Sequence, residues 1–137
     1  RGHLYRSILE AIALTMKHHV DAMCSELGIQ LHEIVISGGG SNSPLMMQIF
    51  SDVFGIPTSR AIAGGGGASL GAAMCAAAAT GVYADIETAS AKMAGARQSF
   101  EPNAENSGIY QRMGETVYHD IRQHTDALFE RAYPIFH

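Results

Sequence analysis

The residues with the clearest chemical potential lie in Ile36-Ser37-Gly38-Gly39-Gly40-Ser41-Asn42-Ser43-Pro44. A β-branched run that ends in glycine and turns straight into a capped helix aims unpaired backbone N–H groups and the positive helix end at one point, where an anion is stabilised. The missing side chains of Gly38, Gly39 and Gly40 also let a phosphate or a flat base approach the backbone closely. The pattern suits a nucleotide site. It equally suits a strand-to-helix turn that needs positive φ angles and nothing more.

A second constellation is Gly67-Ala68-Ser69-Leu70-Gly71, which matches the GxSxG of a serine-hydrolase nucleophile elbow. Ser69 would be the nucleophile, with Asp85 or Asp120 as the acid and His119, His124 or His137 as the base. Such an elbow needs several flanking strands, only two strands are readable here, and a small packing residue accounts for Ser69 as well. Other phosphate motifs fail: neither glycine cluster has GxGxxG spacing, and Ala72 stands where GxxxxGK requires lysine. His18 and His19 are sequential, and His119 and His124 lie five residues apart where a helical metal pair needs four, so no metal ligand or catalytic residue is assigned.

The elements that must position these residues follow from periodicity. Leu4, Ile8, Leu9, Ile12, Met16, Val20, Met23 and Leu27 predict an amphipathic helix over 4–27, stopped by Gly28. Residues 33–37 predict a buried strand running into the glycines. Ser43 is the expected N-cap and Pro44 the first residue of a helix over 45–54, which Gly55 ends. A second strand is expected over 56–62, then the glycines 64–67, a small-residue helix over 68–80 and a short helix capped by Asp85 and ending at Met93. Residues 95–108 read as a polar connection, and 107–133 as a final amphipathic helix.

With 137 residues, 47% of them hydrophobic, and a net charge of −4, one globular domain is expected. Only nine Lys and Arg argue against a nucleic-acid partner. The longest apolar stretch, 72–79, is far too short to span a bilayer, and no secretory h-region opens the chain, so a cytoplasmic location without membrane contact is expected. Cys24 and Cys75 form no CxxC and read as two reduced, packed thiols.

Taken in order, these blocks resemble the FGGY carbohydrate kinases, which include xylulokinases, ribulokinases and glycerol kinases. The blocks are residues 3–13, the loop and helix of 36–57, Leu70-Gly71-Ala72-Ala73, Gly81-Val82-Tyr83 and the helix of 110–133. The resemblance covers essentially the whole chain. It implies an α/β fold, the C-terminal domain of an actin-like, ribonuclease-H-like ATPase, here an incomplete, helix-rich piece with few strands. It also implies ATP and Mg2+ as cofactors and a sugar or polyol acceptor, with xylulose-like ketoses, ribulose and glycerol all compatible. Gly38, Gly39 and Gly40 would line the adenosine and α-phosphate, with Ser43, Asn42 and Met47 near the adenine. The catalytic carboxylate and the first phosphate-binding segment belong to the family's earlier, sugar-binding domain and have no match here, so the metal would be held mainly by phosphates and that domain. Two departures stand out: Gly64-Gly65-Gly66-Gly67 replaces a usual carboxylate, and Ser69 interrupts the small-residue pattern. A non-catalytic nucleotide-binding module is the remaining alternative. The family's additional strands before the first helix are missing, so an exposed strand edge and apolar face, and with them a homodimer or a longer parent chain, are expected.

Overall fold

The structure, a computed structural model, describes residues 1–61 and 67–136. Local chemistry sets most helix ends. Helix α1 (Gly2–Leu27) stops at Gly28, and α2 (Pro44–Phe54) stops at Gly55, each glycine taking the left-handed conformation at φ 64° and 69° that closes a helix without a Cβ penalty. At the other end of α2, Ser43 accepts a hydrogen bond from the Met46 amide and Pro44 occupies the first turn. Helix α3 (Gly67–Ala79) is the alanine-rich element, and α4 (Ile86–Met93) begins at Asp85, whose carboxylate accepts from the Thr88 amide at 2.6 Å.

Three strands form one sheet in the order β1 (Ile34–Val35), β2 (Thr58–Ala61), β3 (Arg97–Phe100). β1 and β2 are parallel with Ile34 opposite Thr58; β2 and β3 are antiparallel with Thr58 opposite Phe100. β1 is shorter than the expected 33–37 and is not buried, since Val35 is 53% exposed on an edge strand with no further strand beyond it among the described residues. β2 occupies the inner part of the expected 56–62; Ile62 and the glycines 64–66 lie outside the described residues.

β3 corrects the reading of 95–108 as a mere connection. Its residues, Arg97-Gln98-Ser99-Phe100, carry almost no apolar signal. α2 and β2 make it a strand from outside: Ser51 Oγ donates to the Phe100 carbonyl at 2.8 Å, Gln48 Nε2 donates to the Glu101 carbonyl at 2.8 Å, and β2 supplies the ladder. The buried Asp52 then holds the start of α5 (Ala104–Arg112), taking the Asn103 amide and Gln48 Nε2 on one oxygen and Asn106 Nδ2 on the other, each at 2.8 Å.

The expected final helix is continuous but has two irregularities. A π-helical turn, Met113–Tyr118, joins α5 to α6 (His119–Phe136), and α6 carries Pro134 in its last turn. The wider π turn brings Met113 and Tyr118 against the core, and the Tyr118 hydroxyl pairs with Thr15 Oγ1 of α1.

α2 sits at the centre of the core. Ile49, Phe50 and Val53 pack on Leu9, Ala13 and Leu14 of α1 and on Tyr110 of α5. This corrects the face expected of α1. The longer stripe of Leu4, Ile8, Ile12, Met16, Met23 and Leu27 is exposed, because α2 takes the neighbouring face instead. Across the α1–α5 contact, Arg6 and the Tyr110 hydroxyl both donate to Glu10 Oε1, each at 2.7 Å. Burial raises the Glu10 carboxyl, but these two donors outweigh it and hold the pKa below its ordinary value. Both cysteines are free; Cys24 is half-buried as expected, whereas Cys75 is exposed because no residue of α3 is buried among the described residues. No described helix is long and apolar enough to cross a membrane.

Candidate functional site

The glycine loop leaves the end of β1, where the Ile36 amide still bonds to the Ser59 carbonyl at 2.9 Å, and enters α2 through a 3-10 turn, Gly39–Asn42. Its three glycines differ in what their surroundings demand of them. Gly38 has φ 91° and ψ −172°, a conformation that a Cβ makes costly. A Cβ on Gly40 would lie 3.1 Å from Met46 Sδ, tighter than ordinary packing. A Cβ on Gly39 would meet nothing within 4 Å, and its φ is ordinary. Among the described residues nothing places a demand for glycine at 39, and no described atom covers that face.

The loop is braced from below. Ser41 is buried and its hydroxyl donates to the Gly38 carbonyl at 2.7 Å; the Ser41 amide reaches the same carbonyl at 3.2 Å, and the Ser43 amide bonds to the Gly40 carbonyl at 3.1 Å. Arg60, from β2, donates through Nη1 to the Ser41 carbonyl. Met47 is fully buried, and its carbonyl accepts from Thr58 Oγ1 at 3.0 Å. Gly38, Gly39, Gly40 and Asn42 are thus on the exposed rim, Ser43 is engaged as the N-cap, and Met47 lies beneath the turn. Burial at 47 and the buried serine at 41 are tertiary facts that local sequence does not announce. Arg60 carried one signal, a lone cation in a β-prone segment beside the glycine loop.

The second glycine segment meets the first. A Cβ on Gly67, the first residue of α3, would stand 3.3 Å from Ser37 Cβ and 3.5 Å from Ser37 Oγ, so the start of α3 abuts the end of the β1 segment. Two helix N-termini therefore border one open loop, a favourable setting for an anionic group.

The hydrolase arrangement finds no support. Ser69 lies within the first turn of α3 and not on a bend between strand and helix. Asp85 is committed to capping α4, and His124 Nδ1 lies 2.8 Å from the Asp120 carbonyl of its own helix. α3 packs on α4, while α6, which carries His119 and His124, packs on the π turn; His137 lies outside the described residues. Among the described residues no group of three or more His, Cys, Asp and Glu converges as a metal site.

With this geometry in view, residues 1–80 match the model of the C-terminal domain of the FGGY family of carbohydrate kinases. The chain belongs to that family. It is 42% identical over 134 residues to the uncharacterized sugar kinase YgcE of Escherichia coli K12, covering 98% of this chain and 27% of that protein. Identity to the ribulokinase of Mycolicibacterium smegmatis is 41% over 107 residues, 77% of this chain and 19% of the relative. The xylulose kinase structure from Rhodospirillum rubrum superposes with a TM-score of 0.65 at 30% identity, covering all of this chain (100%) and 26% of that one. The fold is accordingly that of the C-terminal part of an FGGY kinase, an actin-like ATPase domain, helix-rich with a small three-stranded sheet. The chain spans between about a fifth and about a quarter of the length of these relatives, 19% for the ribulokinase and 27% for YgcE.

Proposed function

We propose that this chain supplies the adenosine site of an ATP-dependent carbohydrate kinase, an enzyme that moves the γ-phosphoryl group of MgATP to a sugar or polyol hydroxyl. The observation that carries the reading is Gly39: a glycine that neither its backbone conformation nor packing among the described residues requires, on the exposed rim between two helix N-termini. A ligand lying on the backbone accounts for it. Gly38, Gly39 and Gly40 form the surface for the adenosine and α-phosphate, Asn42 and the Ser43 turn flank the base, and Met47 supports the turn from its buried position. Catalysis of this type rests on positioning and charge stabilisation, with Mg2+ arriving on the nucleotide.

A ketopentose is the proposed acceptor, in keeping with the names of the ribulokinase and xylulose kinase relatives. The direct test is ADP release by the complete gene product with MgATP and a panel of pentuloses, other sugars and polyols. Pentulose-dependent release is expected; tight ATP binding with no release across the panel would instead assign a non-catalytic nucleotide module. The exposed stripe on α1 is proposed to be covered by more of a kinase chain or by a second copy. Under this reading the 137-residue chain alone self-associates, and a monodisperse monomer at high concentration in light scattering counts against it.

A further inference from the structure

Arg60 connects the glycine loop to a strand that is remote from it in sequence. Its Nε and Nη2 both donate to Gln98 Oε1 on β3, at 3.1 and 2.9 Å, while Nη1 donates to the Ser41 carbonyl in the loop. The guanidinium also lies 5.4 Å from the Phe100 ring centroid. One edge of the planar group is thus fixed to β3 and the other is presented to the loop, a division of labour that a lysine ammonium cannot reproduce. Ser41 is the pivot. The same residue that accepts from Arg60 clamps the Gly38 carbonyl through its hydroxyl, holding the residue at φ 91°.

We propose that Arg60 is a positioning residue for nucleotide binding, mounted on Gln98 and Phe100 and acting through Ser41 on the conformation of Gly38. This rests on the nucleotide reading of the loop. Among the described residues no carboxylate forms an ion pair with Arg60, so its charge also stands beside the loop, and the test must separate charge from geometry.

Arg60→Lys does so, because it keeps the charge and loses the fork. In the complete gene product without nucleotide, the Ser41 and Ser43 amides of Arg60→Lys exchange with deuterium about tenfold faster than in the parent, and ATP binds about tenfold more weakly, the order expected when a charge-assisted hydrogen bond that preorganises a loop is lost. Gln98→Ala, an exposed change on β3 that leaves Arg60 in place, shifts both readouts in the same direction by a smaller factor. Parent-like exchange and affinity in Arg60→Lys would overturn the proposal and leave charge as the residue's contribution. Gly39→Val, measured alongside, tests the underlying reading separately: undiminished ATP affinity there refutes the nucleotide site and the role given to Arg60, whereas lost affinity there with a parent-like Arg60→Lys refutes Arg60 alone.

Discussion

Replacing Gly39 by valine separates folding from binding in a way that its neighbours do not allow. A Cβ at 39 meets no described atom within 4 Å and the φ there is not left-handed, so the first added carbon causes no clash among the described residues. The remaining stability terms, a β-branched residue in a 3-10 turn against the entropy removed from the unfolded chain, partly cancel and leave a change within about 1 kcal/mol. A nucleotide seated in van der Waals contact with that backbone must, by contrast, lift off by roughly a methyl's width and lose its contacts to the loop. A loss of about 2.8 kcal/mol, or about 100-fold in affinity, is expected. Valine at Gly38 behaves differently, because φ 91° forces strain of about 1–3 kcal/mol before any ligand is present. Titration of the complete gene product with a fluorescent ATP analogue, with a thermal melt of each variant alongside, distinguishes the cases. Parent-like affinity in a folded Gly39→Val protein refutes the reasoning, as does a lost affinity that is matched by unfolding.

The interior gives two further predictions. Asp52→Ala takes a buried acceptor away from three partly exposed donors, the Asn103 amide, Gln48 Nε2 and Asn106 Nδ2, of which Gln48 Nε2 keeps the Glu101 carbonyl, and should destabilise the fold by about 1–3 kcal/mol in denaturant titration; a change under about 0.5 kcal/mol means that water replaces the carboxylate. Because the Glu10 pKa is depressed in the folded state, its contribution is fully present above the ordinary glutamate value of 4.5 and is lost as pH falls through the lower folded value. The melting-temperature gap between the parent and Glu10→Gln is therefore largest near neutrality and closes in acid; a gap that is constant from neutral pH to below 4 contradicts the assigned donors.

Helix ends were legible in the sequence because their causes are local. Gly28, Gly55, Ser43 and Asp85 act on the backbone within a turn of themselves, and the structure finds each where its residue type puts it. β3 was not legible. Arg97-Gln98-Ser99-Phe100 is made a strand by Ser51, Gln48 and β2, all at least 36 residues away. The buried face of α1 failed for a related reason: the helix offers two adjacent apolar faces, Leu9-Ala13-Leu14 and the longer stripe from Leu4 to Leu27, and only the position of α2 chooses between them. At the candidate site the glycines announced themselves. The distinction between a left-handed φ at 38, a close Met46 sulfur at 40 and neither among the described residues at 39 is tertiary and has no local signal.

The two stems of the glycine loop are unequal. Downstream, the chain passes at once into a capped helix whose Met47, Ile49 and Phe50 are buried. Upstream it hangs from two strand residues, tied to β2 and its approach by the Ile34 amide on the Pro57 carbonyl at 3.1 Å and the Ile36 amide on Ser59. Such a loop swings like a door with one firm jamb. Its cheapest excursion unzips residues 34–37 while α2 stays seated, so a protease that catches the open form cuts before Gly38 and not after Ser43. A ligand that fastens the rim should protect that upstream bond more than any other in the chain.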